Sequence, residues 1–472
     1  MTYNQLWRFG AGHMPRHLFI AMEKTHISDF TEGNITKQLV KFATPLFLSS
    51  LLQIVYNMVD MMIVGQKLGK VGLSAVSVGG DVTNFLTFLA MGFSSAGQVI
   101  ISQYLGAGQK EKIPRFISTM FSFLMLMAIC ASGICLFLRE PIMRVMNTPE
   151  EAFSEAIAYA TVSMLGMVFI YGYNIVSAVL RGMGDSVRPF IFISIAAVLN
   201  TILDVIFVMG IGMGSKGAAL ATVISQGVSF VSCGSYMMHH KEKYELEITV
   251  GGLFRIDKAM LSRLIKLGIP MAIKNASVHI SKLFVNSWIN SYGVAVSAFA
   301  GIANKIGSTA NLVSNSFNAA GSSMVGQNIG AEKYDRVKGI MLAVFRITVS
   351  TAILFSVVMY GFPRQIFSFF TTDSEVIEVG MTYLPISVLL FFGSAARSGM
   401  NALINGSGNY RVNFATAVFD GIVMRIGLAV LFGLVLDMKA MGFWLGDALA
   451  GFTPFVIGIV FYFTGKWKKR LL

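Results

Sequence analysis

Apolar stretches of about twenty residues recur along the whole chain, each long enough to cross a hydrocarbon core of about 30 Å at 1.5 Å per residue. Backbone polar groups in lipid must bond within their own segment, so such stretches fold as helices. Apolar runs bounded by charged or Gly/Pro turns predict helices at 38–64, 73–101, 117–138, 156–180, 189–210 and 217–238. A second set follows at 267–290, 297–325, 339–361, 379–404, 412–434 and 441–464. A soluble chain with 54% hydrophobic and 13% charged residues would aggregate, so the bilayer is its expected solvent.

The net charge of +13 does not imply nucleic acid as a partner, because the basic residues form short clusters between apolar runs rather than one soluble face. Such clusters are topology signals. With the N-terminus inside, the inner loops and tails hold about two dozen Lys/Arg against about seven outside. Lys110, Lys112 and Arg115, Arg181 and Arg188, Lys333, Arg336 and Lys338, and Lys466 to Arg470 all fall inside. The expectation is a multi-pass protein of the cytoplasmic membrane with both termini cytoplasmic. Leu18 to Met22 is too short for a signal-peptide core, and Met22 is a second candidate start. Cys130, Cys135 and Cys233 lie within apolar runs without metal-like spacing and read as small core residues.

The two sets of runs repeat each other at an offset of about 224 residues. Lys41-Phe-Ala-Thr-Pro45 matches Lys266-Leu-Gly-Ile-Pro270, and Gln103-Tyr-Leu-Gly-Ala107 matches Gln327-Asn-Ile-Gly-Ala331. Leu180-Arg-Gly-Met-Gly184 matches Leu403, Gly406 and Gly408. The predicted class is therefore all-α and polytopic: twelve transmembrane helices in two six-helix lobes, related by a pseudo-twofold axis along the membrane normal. The expected order is an N-terminal extension (1–35), a lobe (36–238), a cytoplasmic linker (239–266), a second lobe (267–464) and a basic tail (465–472). A monomer is expected, with a substrate path between the lobes.

Polar groups are costly in hydrocarbon, so their distribution around a helix marks the face that meets protein or water. Ser50, Gln53, Asn57 and Asp60 form one stripe on the first helix, and Ser74, Ser77, Asp81 and Asn84 another on the second. The seventh carries Asn275, His279, Lys282 and Asn286; the eighth carries Asn304, Ser308, Asn311, Asn315, Asn318 and Ser322. Small polar residues also glue membrane helices together. The ionisable Asp60, Asp81, His279 and Lys282 on these faces favour a hydrated cleft instead.

Two six-helix halves with striped first pairs resemble the multidrug and toxic compound extrusion (MATE) family over the chain from about Ile35 onward. The local match is the segment YNMVDMMIVG from Tyr56, with Gln103-Tyr-Leu-Gly-Ala and Leu180-Arg-Gly-Met-Gly-Asp resembling recurrent cytoplasmic turns. The sequence is most similar to the prokaryotic branch grouped with DNA-damage-inducible protein F. That resemblance implies a cation site in the N-terminal lobe at Asp60, Asn200, Asp204 and Thr222. Asn200 and Asp204 lie four apart on one helix face, and oxygen donors suit Na⁺ as the metal ion. Two nearby carboxylates could equally share a proton. No acidic residue stands on the seventh or eighth helix; Lys274, Lys282, Lys305, Arg346, Arg397 and Arg425 lie at membrane depth in that half instead, and Asp420 and Arg425 are placed to pair with each other or with other helices.

The resemblance implies antiport of a small organic substrate against inward Na⁺ or H⁺, without a cofactor. The sequence has no Walker-type glycine loop for ATP and no H-E-x-x-H cluster, and an enzyme is not expected. The rival reading is a flippase or exporter of an anionic lipid-linked or phosphorylated precursor. A Lys at the depth of Lys282 costs roughly 2.5–3.5 kcal/mol on insertion scales, so it needs water, a carboxylate or a bound anion beside it. The cleft is therefore expected to have an acidic N-terminal wall and a basic C-terminal one.

Overall fold

The computed structural model describes residues 27–469, and their regular elements are all helical. One continuous run, Ile35–Gly106, is broken at Gly69, whose φ of 59° and ψ of −148° no helix accommodates. It thus comprises two helices, α1 (35–68) and α2 (70–106). Next come α3 (Ile113–Phe137), α4 (Glu150–Leu165 with Met167–Gly182, bent by 46°), α5 (Val187–Gly210) and α6 (Ser215–His239). The second half has α7 (Lys258–Asn290), α8 (Val294–Gly330), α9 (Tyr334–Gly361), α10 (Ser374–Gly406), α11 (Tyr410–Val435) and α12 (Lys439–Phe463). The bend in α4 falls at Gly166, where a Cβ would meet Val223 of α6 at 2.1 Å. The duplication extends to a short helix after the third span of each half, Arg139–Val145 and Pro363–Ser368.

The start of α7 differs from the sequence expectation. Residues from Lys258 to Lys266, read as linker because of their charges, are its first turns. Asp257 caps them, accepting from the N–H groups of Ala259 and Met260, and these donors, Met260 foremost, hold its carboxyl below the usual carboxylate range. Met260, Leu264 and Leu267 form the buried stripe that extends the helix. Leu18 to Met22 and Arg470 lie outside the described residues.

The first helix of each half begins among the side chains of the other half. Leu39, Phe42, Ala43 and Leu46 of α1 pack with Met324, Val325, Ile340 and Leu403 of the C-terminal lobe. Reciprocally, Met260, Leu264, Leu267 and Met271 of α7 pack with Phe93, Tyr104 and Met120 of the N-terminal lobe. Pro45 and Pro270 sit in these two helices, where each removes an intrahelical hydrogen bond and eases bending. The repeat Lys41–Pro45 and Lys266–Pro270 is thus the crossover of each helix between lobes.

The lobes meet closely at the end that carries the Lys/Arg-rich loops. Gln98 Nε2 donates to Ser323 Oγ at 2.7 Å, and Gln103 Nε2 donates to the Gly406 carbonyl at 2.9 Å. The repeated segments after Gln103 and Gln327 abut each other: a Cβ on Gly106 would lie 1.9 Å from the Gln327 carbonyl oxygen, and one on Gly330 2.2 Å from that of Gln103. Only hydrogen fits at either position. Residues 27–34 strap across this seal, with Phe30 buried and its N–H donating to Gln327 Oε1 at 2.9 Å. Farther along, His279 of α7 stacks on Phe88 of α2 with ring centroids 4.2 Å apart. Towards the other end Asn57, Asp81, Asn84, Asn304, Ser308 and Asn315 are exposed.

Candidate functional site

In the N-terminal lobe, α1 brings Asp60 to Asp204 of α5, and one turn before Asp204 on the same helix Asn200 pairs with Thr222 of α6. Asp60 is 9% exposed, Asn200 3% and Asp204 0%. Asn200 Nδ2 donates to Thr222 Oγ1 at 3.4 Å. The Asp60 and Asp204 carboxyls face each other within hydrogen-bonding reach, and Tyr159 and Tyr56 lie beside them. Asp60 Oδ1, Asn200 Oδ1 and both oxygens of Asp204 accept no hydrogen bond from the described residues. Buried carboxylate oxygens without donors, in contact with one another, are stable only around a shared proton or a cation. All are oxygen donors, the ligand type of a hard cation.

A local departure from α-geometry supports this cluster. The segment Val205–Gly210, immediately after Asp204, is π-helical. Such a wide turn frees backbone carbonyls and re-aims the residue before it, and it recurs at functional sites. The equivalent helix of the other lobe has its own π segment at Phe419–Met424, which holds Asp420. There the carbonyl of Gly421 accepts from Ser281 Oγ of α7.

The C-terminal lobe has the opposite electrical character. Arg425 pairs with Asp420 at 3.2 Å, and also with Asp447 of α12. The expected Asp420–Arg425 pair is present. Asp447 was missed by sequence reasoning, although a single acid within the apolar run of α12 is a signal by itself. Lys274 Nζ donates to Asn401 Oδ1 at 2.6 Å, and Asn311 Oδ1 accepts from Arg397 Nη2 at 2.5 Å and Ser394 Oγ at 2.8 Å. Lys282 lies in Coulombic range of Asp447, Asp420, Arg397 and Arg425 without an ion pair to either acid.

Of the stripe residues, Asn57, Asp81, Asn84, His279, Asn304 and Asn315 are exposed, while Gln53, Asn275, Lys282, Asn286 and Asn311 are half-buried. Asn311 is turned into its own lobe by Arg397. Lys305 and Arg346 are exposed at the surface.

Among the described residues, twelve spanning helices in two pseudo-symmetric lobes, sealed at one end and holding a buried carboxyl pair in one lobe, define a multi-pass membrane protein. The MatE family model matches residues 45–206 and again 270–431, the spacing at which the sequence repeats itself. The chain belongs to this family, the multidrug and toxic compound extrusion proteins. Over 445 residues it is 29% identical to Probable multidrug resistance protein YpnP of Bacillus subtilis, covering 94% of this chain and 98% of that one. It is 25% identical to Probable multidrug resistance protein NorM of Thermotoga maritima, covering 92% and 94%. A solved MOP superfamily transporter from Pyrococcus furiosus superposes with a TM-score of 0.84 at 23% identity, over 93% of this chain and 98% of that one. A MATE crystal structure in a bent conformation gives 0.84 at 24%, over 94% and 97%.

Proposed function

We propose that this protein is a secondary antiporter of the cell membrane that exports small organic compounds, driven by Na⁺ or H⁺ entering through the Asp60–Asp204 cluster. The observation that carries this reading is the pair of facing carboxyls with three donorless oxygens in one lobe, beside the donorless amide oxygen of Asn200. The sealed end bears the basic loops, so by the positive-inside rule it is cytoplasmic and the described state opens outward. An ion arriving from outside neutralises the pair. Asp60 stands on α1, whose first turns pack in the other lobe beyond Pro45, so a change at the carboxyl is transmitted to the interface along one helix.

Coupling requires that the ion favour one opening over the other, and a carboxyl pair that repels when bare supplies such a difference. One elementary charge moving across 100 mV releases about 2.3 kcal/mol, enough for roughly a fiftyfold substrate gradient. The multidrug-resistance names of the relatives agree with an organic substrate.

The test is transport by proteoliposomes under separately imposed Na⁺ and pH gradients, with Asp204→Asn beside wild type. Wild type should accumulate substrate uphill under one gradient, and Asp204→Asn should lose that accumulation while eluting as a monodisperse, folded protein. Unchanged coupled transport by Asp204→Asn would sink the assignment. A second reading, export or flipping of an anionic precursor, is favoured by the cations of the C-terminal lobe. The related Pyrococcus transporter is described as having a binding pocket of reverse polarity.

A further inference from the structure

Four cations and two carboxylates meet between α7, α10, α11 and α12. Arg425 forms ion pairs with both acids. Among the described residues, Lys274, Lys282 and Arg397 form no ion pair within 4.0 Å and are engaged, where they are engaged at all, by neutral amides. They nevertheless share one field: Lys282 and Arg397 both lie in Coulombic range of Asp420, Asp447 and Arg425, and Lys274 in range of Asp420 and Arg397. Arg397 repels both lysines at membrane depth, and the low dielectric makes that repulsion strong.

Their position limits what can relieve it. Lys282 is one turn beyond His279 on α7, and His279 reaches across to Phe88 of the other lobe, so this part of α7 borders the space between the lobes. Two further donors converge nearby: Arg425 is 2% exposed and its Nε has no acceptor, and Asn311 is held by Arg397 and Ser394. In the other lobe Asp60 and Asp204 are buried and turned towards each other.

We propose that Lys274, Lys282 and Arg397 form a binding site for an oxyanion, a carboxylate or phosphate monoester carried by the transported compound, with Lys282 at its mouth. This deepens the export reading by naming a substrate class, and the arms below separate the failure of one from the failure of the other. Arg397 contributes a planar fork suited to a two-oxygen anion, and the lysines contribute point charges. The Asp420–Arg425–Asp447 group keeps the excess positive charge on the three free cations rather than distributing it over four.

Binding is measured first, apart from transport, by fluorescence titration of carboxyfluorescein, of an apolar phosphate monoester as competitor, and of ethidium, on the full-length protein in neutral detergent. Wild type should bind carboxyfluorescein. Lys282→Gln and Arg397→Gln should each weaken it by about tenfold or more, the loss expected for one hydrogen bond to a charged group. Lys282→Arg should restore most of it, and ethidium binding should be unchanged or stronger in the neutral variants. Competition by a short-chain phosphatidylglycerol, absent with the zwitterionic phosphatidylcholine analogue, would identify the anion as a lipid headgroup rather than a soluble compound. No anion binding by wild type, or equal loss of anion and cation in Lys282→Gln with Lys282→Arg failing to rescue, overturns the proposal. In vesicles, uphill movement of ethidium but not of carboxyfluorescein overturns the anion site and leaves the antiporter standing. Gradient-independent leakage of both dyes, with anion binding intact, does the reverse.

Discussion

Placing a methyl group on Gly106 tests whether the Gln103–Ala107 and Gln327–Ala331 segments are the seal on which alternation depends. In Gly106→Ala the new Cβ would lie 1.9 Å from the Gln327 carbonyl oxygen, 2.6 Å from its carbon and 2.7 Å from its Cα. Ordinary contact starts near 3.4 Å, so one lobe must retreat by about 1.5 Å against main-chain atoms that have no rotamer to change. Overpacking of this kind costs about 1–3 kcal/mol, and a backbone clash belongs at the upper end. The cost falls only on the state in which the seal is closed. The opposite state should gain up to about a hundredfold in relative population, since each 1.4 kcal/mol is tenfold. The assay is thiol labelling in a background without Cys130, Cys135 and Cys233, with reporters Val99→Cys, buried at the seal, and Asn84→Cys, exposed at the open end. Gly106→Ala should speed labelling at position 99 and slow it at position 84. Gly80→Ala, whose Cβ would meet nothing within 4 Å, should do neither. If Gly106→Ala labels as its parent does at both reporters, the reciprocal glycine contact is not the seal.

Two other outcomes are expected. Asp447→Asn should lower the melting temperature more than Lys282→Gln does, because it strips one partner from a buried ion pair, a loss of about 3–5 kcal/mol; equal melting temperatures would contradict the pairing. Among single cysteines along the stripes, Asn57→Cys and Asn304→Cys should react with a water-soluble thiol reagent much faster than Asn311→Cys, which Arg397 and Ser394 hold inside the lobe, and the reverse order would show that the stripes face elsewhere.

The spans were legible because length and hydropathy are local properties: α5 was read as 189–210 and runs over Val187–Gly210. The seventh and eighth spans, rich in Asn, Ser and Lys, are legible in the same way, as apolar runs at 267–290 and 297–325 inside Lys258–Asn290 and Val294–Gly330. What escaped depends on partners distant in sequence. The first turns of α7 looked like linker because Lys258, Arg263 and Lys266 are charged, although the Asp257 cap followed by Met260, Leu264 and Leu267 was readable. The π segments after Asp204 and around Asp420 left no sequence signal, since a widened turn is held by tertiary bonds such as Ser281 to the Gly421 carbonyl. Phe30 was lost in a polar extension, where one aromatic residue carries no periodicity.

The duplicated repeats also explain why the two lobes hold different charges on one scaffold. Each half places an acid at a π segment of its fifth helix, Asp204 in one and Asp420 in the other. Among the described residues Asp204 faces another carboxyl and no cation, so in the proposed cycle its charge state follows the arriving ion. Asp420 is bonded to Arg425, and a charge fixed by a guanidinium is no longer available to exchange. In the proposed cycle one lobe is the responsive half and the other an electrically fixed wall that carries Lys282, Lys274 and Arg397. The antiport proposed above needs an ion whose affinity differs between the two openings, because a ligand equally suited to both states shifts neither.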